Sequence, residues 1–299
     1  MPFLIAAGGN GTVDGVINRL VAAIISLSDL KKFLKLLVTG LVRFSLPPAK
    51  LNQLKALPYL LHYGKEADML LPSPLYPGRL VRRYQRFLAD VELAGGTIVT
   101  AHCPNSGSMK GCAVPGNPVL LSVADNLKRK LKYTWELVLA DGCWVGINTG
   151  LPNRLVREGI ETGIIAELMG YPSIRPEVRY GEKSRVDLLL SGPAGLCYVE
   201  VKNVTLVEGD VALFPDAITT RGQKHLRELM EMVRQGHRGV IFFVVQRGDG
   251  ASVAPADSID AEYGRLLRLA AKSGVEPIAY QASVTPQQIV LTHRLPVIL

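Results

Sequence analysis

The run Gly239-Val-Ile-Phe-Phe-Val-Val-Gln246 sets the strongest limit on how this chain folds. It is continuous, uncharged and rich in β-branched and aromatic residues, the pattern of a strand buried inside a sheet. Shorter strands precede it. Residues 175–180 mix polar and apolar positions, and Arg185-Val-Asp-Leu-Leu-Leu190 follows a Gly-Glu-Lys-Ser turn. The segment Ser191-Gly-Pro-Ala-Gly195 breaks the chain, and Leu-Cys-Tyr-Val-Glu-Val-Lys202 returns as the next strand. Two segments carry helical spacing instead. Residues 153–169 place Leu155, Val156, Ile160, Ile164 and Leu168 on one face, and residues 221–234 do the same with Leu226, Leu229, Met230 and Val233. Thr219-Thr220 supplies the cap for the second helix. The expected order is helix, three strands, helix, strand.

Residues 75–149 read as β-rich. The stretch Phe87-Leu-Ala-Asp-Val-Glu-Leu93 alternates, Gly95-Gly96 signals a hairpin, and residues 97–102 alternate again. Two more strands follow at 119–123 and 135–140, with a hairpin turn at Asp141-Gly142. Several short strands in so few residues fit a small closed barrel, of which the OB fold is one form. Such barrels bind single strands through basic grooves and aromatic platforms. Here Arg82, Arg83, Arg86, Lys128, Arg129, Lys130 and Lys132 are interleaved with Tyr84, Phe87, Tyr133 and Trp135. Contacts from these cations to phosphates would bind DNA with little sequence specificity. The alternative is a solvated basic face over ordinary core aromatics. In the loop His102-Cys-Pro-Asn-Ser-Gly-Ser-Met-Lys-Gly111, Asn105, Ser106 and the glycines suit either an anion-binding nest or a plain Asx turn. Asn148 and Asn153, at the joint between the two regions, could line a cleft.

The chemistry concentrates at Asp187, Glu200 and Lys202. Residues i and i+2 of a strand share a face, so Glu200 and Lys202 project together, and the neighbouring strand can bring Asp187 beside them. Two carboxylates suit a hard divalent cation, Mg2+ or Mn2+, that prefers oxygen ligands and retains water. An adjacent ammonium can orient an attacking water or steady charge growing on a phosphate. A structural salt bridge between a buried carboxylate and Lys202 is the alternative. Arg221, Gln223, Lys224 and His225 fall on the first turn of the following helix, where free N–H groups favour phosphate, although His225 could equally cap the apolar stripe beside Leu229.

The order of elements around these three residues resembles the core of the PD-(D/E)XK nuclease superfamily. A wider resemblance rests on five strings in sequence: Arg82-Arg-Tyr-Gln-Arg-Phe-Leu-Ala-Asp-Val91, His102-Cys-Pro-Asn-Ser-Gly-Ser-Met109, Tyr198-Val-Glu-Val-Lys-Asn-Val-Thr-Leu206, Phe214-Pro-Asp-Ala217 and Arg221-Gly-Gln-Lys-His-Leu-Arg-Glu-Leu-Met230. Together they resemble the sugar fermentation stimulation protein A family of bacteria and archaea. The resemblance implies an α/β (α+β) chain in which an OB-like barrel over 69–150 precedes a PD-(D/E)XK nuclease-like αβββαβ domain over 151–299. It implies DNA binding, and it places the D…ExK residues on Asp187, Glu200 and Lys202. The string that begins at Asn153 matches the family and singles out Glu158 as a further acidic residue near the metal, with Glu161 and Glu167 as alternatives. Many nucleases of this fold pair their sites, which implies a homodimer as one arrangement.

Function is therefore expected to be metal-dependent phosphodiester cleavage, with a non-catalytic DNA-binding regulator of sugar metabolism genes as the rival. A nucleotide-binding metabolic enzyme is disfavoured because no Gly-x-Gly-x-x-Gly or P-loop string is present. A net charge of +8 favours a polyanionic partner. Cys103, Cys112, Cys143 and Cys197 show no zinc spacing and read as reduced thiols of a cytoplasmic protein, with Cys103 the one inside a family string. Residues 1–68 lie outside the resemblance. They contain no uncharged run of about 18 residues and no secretory pattern, so no membrane partner is expected. They suit an amphipathic appendage or, as the preferred expectation, a mis-assigned start with translation beginning at Met69.

Overall fold

Residues 69–299, apart from 127, 182 and 183, are described by a computed structural model. The expectations for residues 1–68 fall outside the described residues. In the barrel region, β1 (Tyr76–Tyr84), β2 (Leu88–Leu93), β3 (Ile98–His102), β4 (Pro118–Val123), β5 (Tyr133–Ala140) and β6 (Cys143–Gly146) form one sheet in the order β3-β2-β1-β4-β5-β6. A short parallel pairing of β3 with β5, Ala101 with Tyr133 and His102 with Thr134, closes the first five strands into a barrel. Closure removes the open edges that short strands would otherwise expose. Leu80, Val91, Ala101, Leu121, Trp135 and Val138 fill the interior.

The C-terminal region is a mixed α/β domain. It runs through α1 (Pro152–Glu161), β7 (Ser173–Tyr180), β8 (Ser184–Gly192), β9 (Gly195–Val204), β10 (Leu206–Glu208) and β11 (Val211–Phe214). It continues with α2 (Thr220–Arg234), β12 (Arg238–Val245), β13 (Ser252–Pro255), α3 (Ala261–Lys272), β14 (Glu276–Val284) and β15 (Ile289–Leu295). Six strands make one sheet in the order β15-β14-β12-β9-β8-β7, and β10-β11-β13 form a smaller one. Strand β12 lies inside the large sheet, parallel to both neighbours. Val240, Phe242 and Val244 pack on the face that holds Leu155, Val156 and Ile160 of α1. Ile241, Phe243 and Val245 pack on the other, against Leu226 and Leu229 of α2 and Leu266 of α3. Helices on both faces explain why the run is apolar at every position.

The expected order is present, with the short strands β10 and β11 added before α2 and one helix corrected. Residues 153–169 are not one helix. Helix α1 stops at Glu161, Gly163 takes φ +82°, and a separate 3-10 turn covers Ala166–Leu168. A positive φ is easy for glycine and ends the helix there. The chain then folds Ile165 back onto Gly159, where a Cβ would lie 2.8 Å from the Ile165 side chain.

Asp260 ties the two helices on the α2 face together. It caps α3 by accepting from the Tyr263 N–H (2.9 Å), and it also accepts from the Thr219 N–H (2.9 Å) beside the start of α2. Asp260→Ala is expected to cost about 2 kcal/mol, since it removes a cap and orphans the Thr219 N–H. A urea midpoint indistinguishable from that of the unaltered protein would refute this.

Candidate metal and nucleic-acid site

Strands β8 and β9 pair through Leu188–Val199, so Asp187 and Glu200 emerge next to each other at the end of the ladder. Asp187 is fixed by two donors. The Val201 N–H reaches Oδ2 at 2.7 Å, and the Asn153 side-chain amide at the start of α1 reaches Oδ1 at 3.0 Å. Glu200 projects to the α2 face of the sheet and is 2% exposed. Its Oε1 accepts from Lys202 Nζ at 2.6 Å and contacts Nδ1 of His225, itself buried on α2. Lys202 Nζ lies 3.3 Å from the same ring nitrogen. Oε2 of Glu200 is buried without a hydrogen-bond partner.

The two carboxyls experience opposite shifts. Burial, and then the charge of Glu200, push Asp187 above the ordinary carboxylate range. Burial also works against ionised Glu200, but Lys202 and His225 outweigh it and hold Glu200 below the ordinary range. A divalent cation fits this donor set. It would relieve the repulsion felt by Asp187 and satisfy the orphaned Oε2, with water completing its shell. No cluster of three or more His, Cys, Asp or Glu suited to a metal occurs among the described residues.

A cleft of about 810 Å3 opens over Asp187 and Lys202 and is walled by both domains. The barrel contributes Arg83, Arg86, Asn105 and Ser106, while the sheet domain adds Asn153, Glu177, Asn203 and Asp216. Arg83 holds the loop by donating to the carbonyls of Asn105 (2.8 Å) and Gly107 (2.9 Å). Asp216 clamps the loop from the other domain, accepting from the Met109 N–H at 2.8 Å. Gly107 lies so close to Asp216 that a Cβ would sit 2.6 Å from its carboxylate oxygens, so a larger residue here would push the Asp216 side chain aside.

The sequence expectations divide accordingly. Asp187, Lys202, Arg83, Arg86, Asn105 and Ser106 meet at the cleft. Several others do not. Glu200 lies behind Lys202 rather than in the cleft wall, and His225 is buried beneath it, so His225 cannot be a surface phosphate contact. Lys224 faces outward in an ion pair with Glu228 (3.5 Å), and Arg221 leans on His225 at 3.4 Å. Glu158 is further along α1, where its carbonyl accepts from Thr162, and Asn153 is the α1 residue that meets Asp187. Arg82 pairs with Asp90 (2.8 Å) and lies over Tyr84.

Lys128, Arg129 and Lys130 lie away from the cleft on the β4–β5 loop, and Arg129 lines a separate pocket. Trp135 is fully buried and donates its indole N–H to the Leu137 carbonyl, so it cannot be a stacking platform. In the loop, Asn105 accepts from the Gly107 N–H in an Asx turn, and the Met109 N–H goes to Asp216. These two N–H groups are therefore spent internally. Asn148 turns from the cleft to donate to Glu136 at 2.7 Å. The four cysteines are free, and burial raises the Cys103 thiol above its usual value, which argues against a nucleophilic role.

Sequence reasoning missed Asp216, Asn203 and Glu177. Asp216 and Asn203 each lie inside one of the five quoted strings, but nothing local indicates that the Asp216 carboxylate meets a barrel loop. Among the described residues, no helix is long and apolar enough to cross a membrane.

Comparison with known proteins agrees with this architecture. Residues 81–147 match the SfsA N-terminal OB domain, and residues 150–288 match the sugar fermentation stimulation protein RE domain. A sugar fermentation stimulation protein homolog of Geobacter sulfurreducens is 75% identical over 230 residues, 77% of this chain and 99% of its own length. Its counterpart in Geobacter metallireducens is 75% identical over 232 residues, 77% of this chain and all of its own. The structure of Pyrococcus furiosus SfsA in complex with Ca2+ is similar with a TM-score of 0.71 and 29% identity, covering 78% of this chain and 100% of that one. With both domains matched in order and relatives identical at three positions in four, the chain belongs to the sugar fermentation stimulation protein family.

Proposed function

We propose that the protein is a divalent-cation-dependent nuclease that cuts DNA in the cleft between barrel and sheet domain. One observation carries this reading: Asp187 and Lys202 line a cleft shared by both domains, while Glu200 is anchored directly behind them. Asp187 and Glu200 would hold Mg2+ or Mn2+, which would polarise the scissile phosphate and lower the pKa of a bound water. The Ca2+ of the Pyrococcus furiosus relative, another hard oxygen-seeking cation, supports such a site.

The chain's own residues divide the remaining work. Lys202 carries an ammonium that faces the cleft and is held by Glu200, placed to orient a nucleophilic water or to stabilise phosphate charge. Asn153 and the Val201 N–H keep the Asp187 carboxylate pointed at the site. Arg86 and Ser106, both exposed on the barrel wall, are positioned for backbone phosphates. Such contacts give binding that weakens with salt and carries little sequence information.

The test uses the full chain with labelled single-stranded, duplex and branched DNA in Mg2+, Mn2+ or EDTA, beside Asp187→Ala and Lys202→Ala. Cleavage is expected only with metal and should fall by about 10²- to 10³-fold or more in each variant. DNA binding without cleavage, equal in all three proteins, would overturn the nuclease and leave a DNA-binding regulator.

A further inference from the structure

A second polar hollow, of about 750 Å3, lies on the outer surface of the barrel and shares no lining residue with the cleft. Its floor is a network built around Glu136, a carboxylate only 4% exposed. Ser122 donates to Glu136 Oε1 and Asn148 to Oε2, each at 2.7 Å. A carboxylate oxygen accepts more than one hydrogen bond, so each keeps accepting capacity. The rim carries Tyr76, 39% exposed and held edge-on by Tyr133 at 6.1 Å between ring centroids. Arg129 closes another side, with one guanidinium nitrogen donating to Thr134 at 2.8 Å and the rest of the group unspent on that bond. Exposed Lys128, Lys130 and Lys132 flank it in the same loop.

We infer that this hollow is a subsite for one unpaired guanine of a bound nucleic-acid strand. The inference rests on the nucleic-acid reading of the cleft but not on cleavage. An exposed aromatic ring, a cationic loop and a recessed hydrogen-bonding floor are the parts a single-strand nucleotide site requires. The floor selects the base. Guanine alone presents two adjacent donors, N1–H and the 2-amino group, to a carboxylate. Adenine and cytosine set a ring acceptor beside their amino donor, and thymine flanks its single N–H with carbonyls, so each would meet the second carboxylate oxygen with repulsion. Location links the hollow to the cleft, because consecutive residues Asn148 and Thr149 line one each. A strand crossing that linker would place one base in the hollow while the adjoining segment enters the cleft that Asp187 lines.

The experiment is fluorescence anisotropy in EDTA, with the full chain and fluorescent oligothymidines that carry one central guanine, 7-deazaguanine, inosine or thymine. Guanine and 7-deazaguanine, which share both donors, are expected to bind about tenfold more tightly than inosine, which lacks the amino group, or thymine. In Glu136→Gln the guanine advantage should vanish while plain oligothymidine binds as before, which shows that the variant is folded. Tyr76→Ala, an exposed position, should reduce the guanine advantage without touching the floor. Equal binding of guanine and inosine oligomers, or an advantage that survives Glu136→Gln, overturns the subsite while leaving the cleft reading in place. Failure of every oligomer to bind overturns both.

Discussion

Replacing Glu200 by alanine is expected to lower stability by about 3–5 kcal/mol, the cost of breaking a buried ion pair by deleting one partner. The effect should be visible as a lower urea midpoint and melting temperature, with no DNA present. Glu200 is the anion that Lys202 and His225 share, and all three are largely withdrawn from water, with side-chain exposures of 2%, 12% and 5%. Without it, an ammonium and an imidazole face each other across a cavity. Glu200→Gln keeps the volume and an accepting oxygen, so it should cost less. The pH dependence has a definite sign. Lys202 and His225 hold Glu200 below the ordinary range against its burial, so its contribution is complete above that range. It is lost as the pH falls through the depressed value. An alanine variant as stable as the unaltered protein at neutral pH would sink this account of the site.

Asp187 should behave in the opposite way. Asp187→Asn is expected to raise the melting temperature in EDTA, because it removes a charge disfavoured by burial and by Glu200 while retaining an acceptor for the Val201 N–H. The same change should abolish stabilisation by Ca2+. In the unaltered protein that stabilisation is expected to reach about 2.7 kcal/mol when free Ca2+ is a hundred times its dissociation constant. Calorimetric melts with and without Ca2+ measure both effects. Because its folded pKa is raised, ionised Asp187 burdens the native state above that value, and the burden is relieved as the pH falls toward the ordinary range. Protons and Ca2+ therefore compete, and the Ca2+ effect should shrink on acidification. Asp187→Asn that destabilises the cation-free protein, or that leaves the Ca2+ effect intact, would remove Asp187 from the cation site. The two variants together separate a catalytic pair from a structural one: a purely structural salt bridge predicts the Glu200 result and no Ca2+ effect.

Local patterns were sufficient wherever a residue's neighbours in sequence decide its conformation. The apolar run of β12, the Thr219 cap of α2, whose side chain accepts from the Gly222 N–H, and the i, i+2 placement of Glu200 and Lys202 were all legible, because each follows from backbone geometry over a few residues. The break in α1 was less so. Gly163 is a permissible helix residue until Ile165 must fold back onto Gly159. The three-stranded sheet of β10, β11 and β13 escaped notice because its strands are only three or four residues long and take their pairing from distant segments.

The sequence by itself determined which chemical groups this protein possesses and on which elements they ride: two carboxylates and an ammonium on adjacent strands, and a cationic, aromatic-rich set of barrel strands. Tertiary structure alone decided which of them reach solvent and which partner they meet. Trp135 faces the barrel interior, His225 slides under Glu200, and Asp216 reaches across to the Met109 N–H. The physical reason is that period fixes a side chain's face but not what covers that face. Burial, ion pairing and the shape of the cleft depend on contacts between segments far apart in the chain, such as the 107 positions that separate Met109 from Asp216.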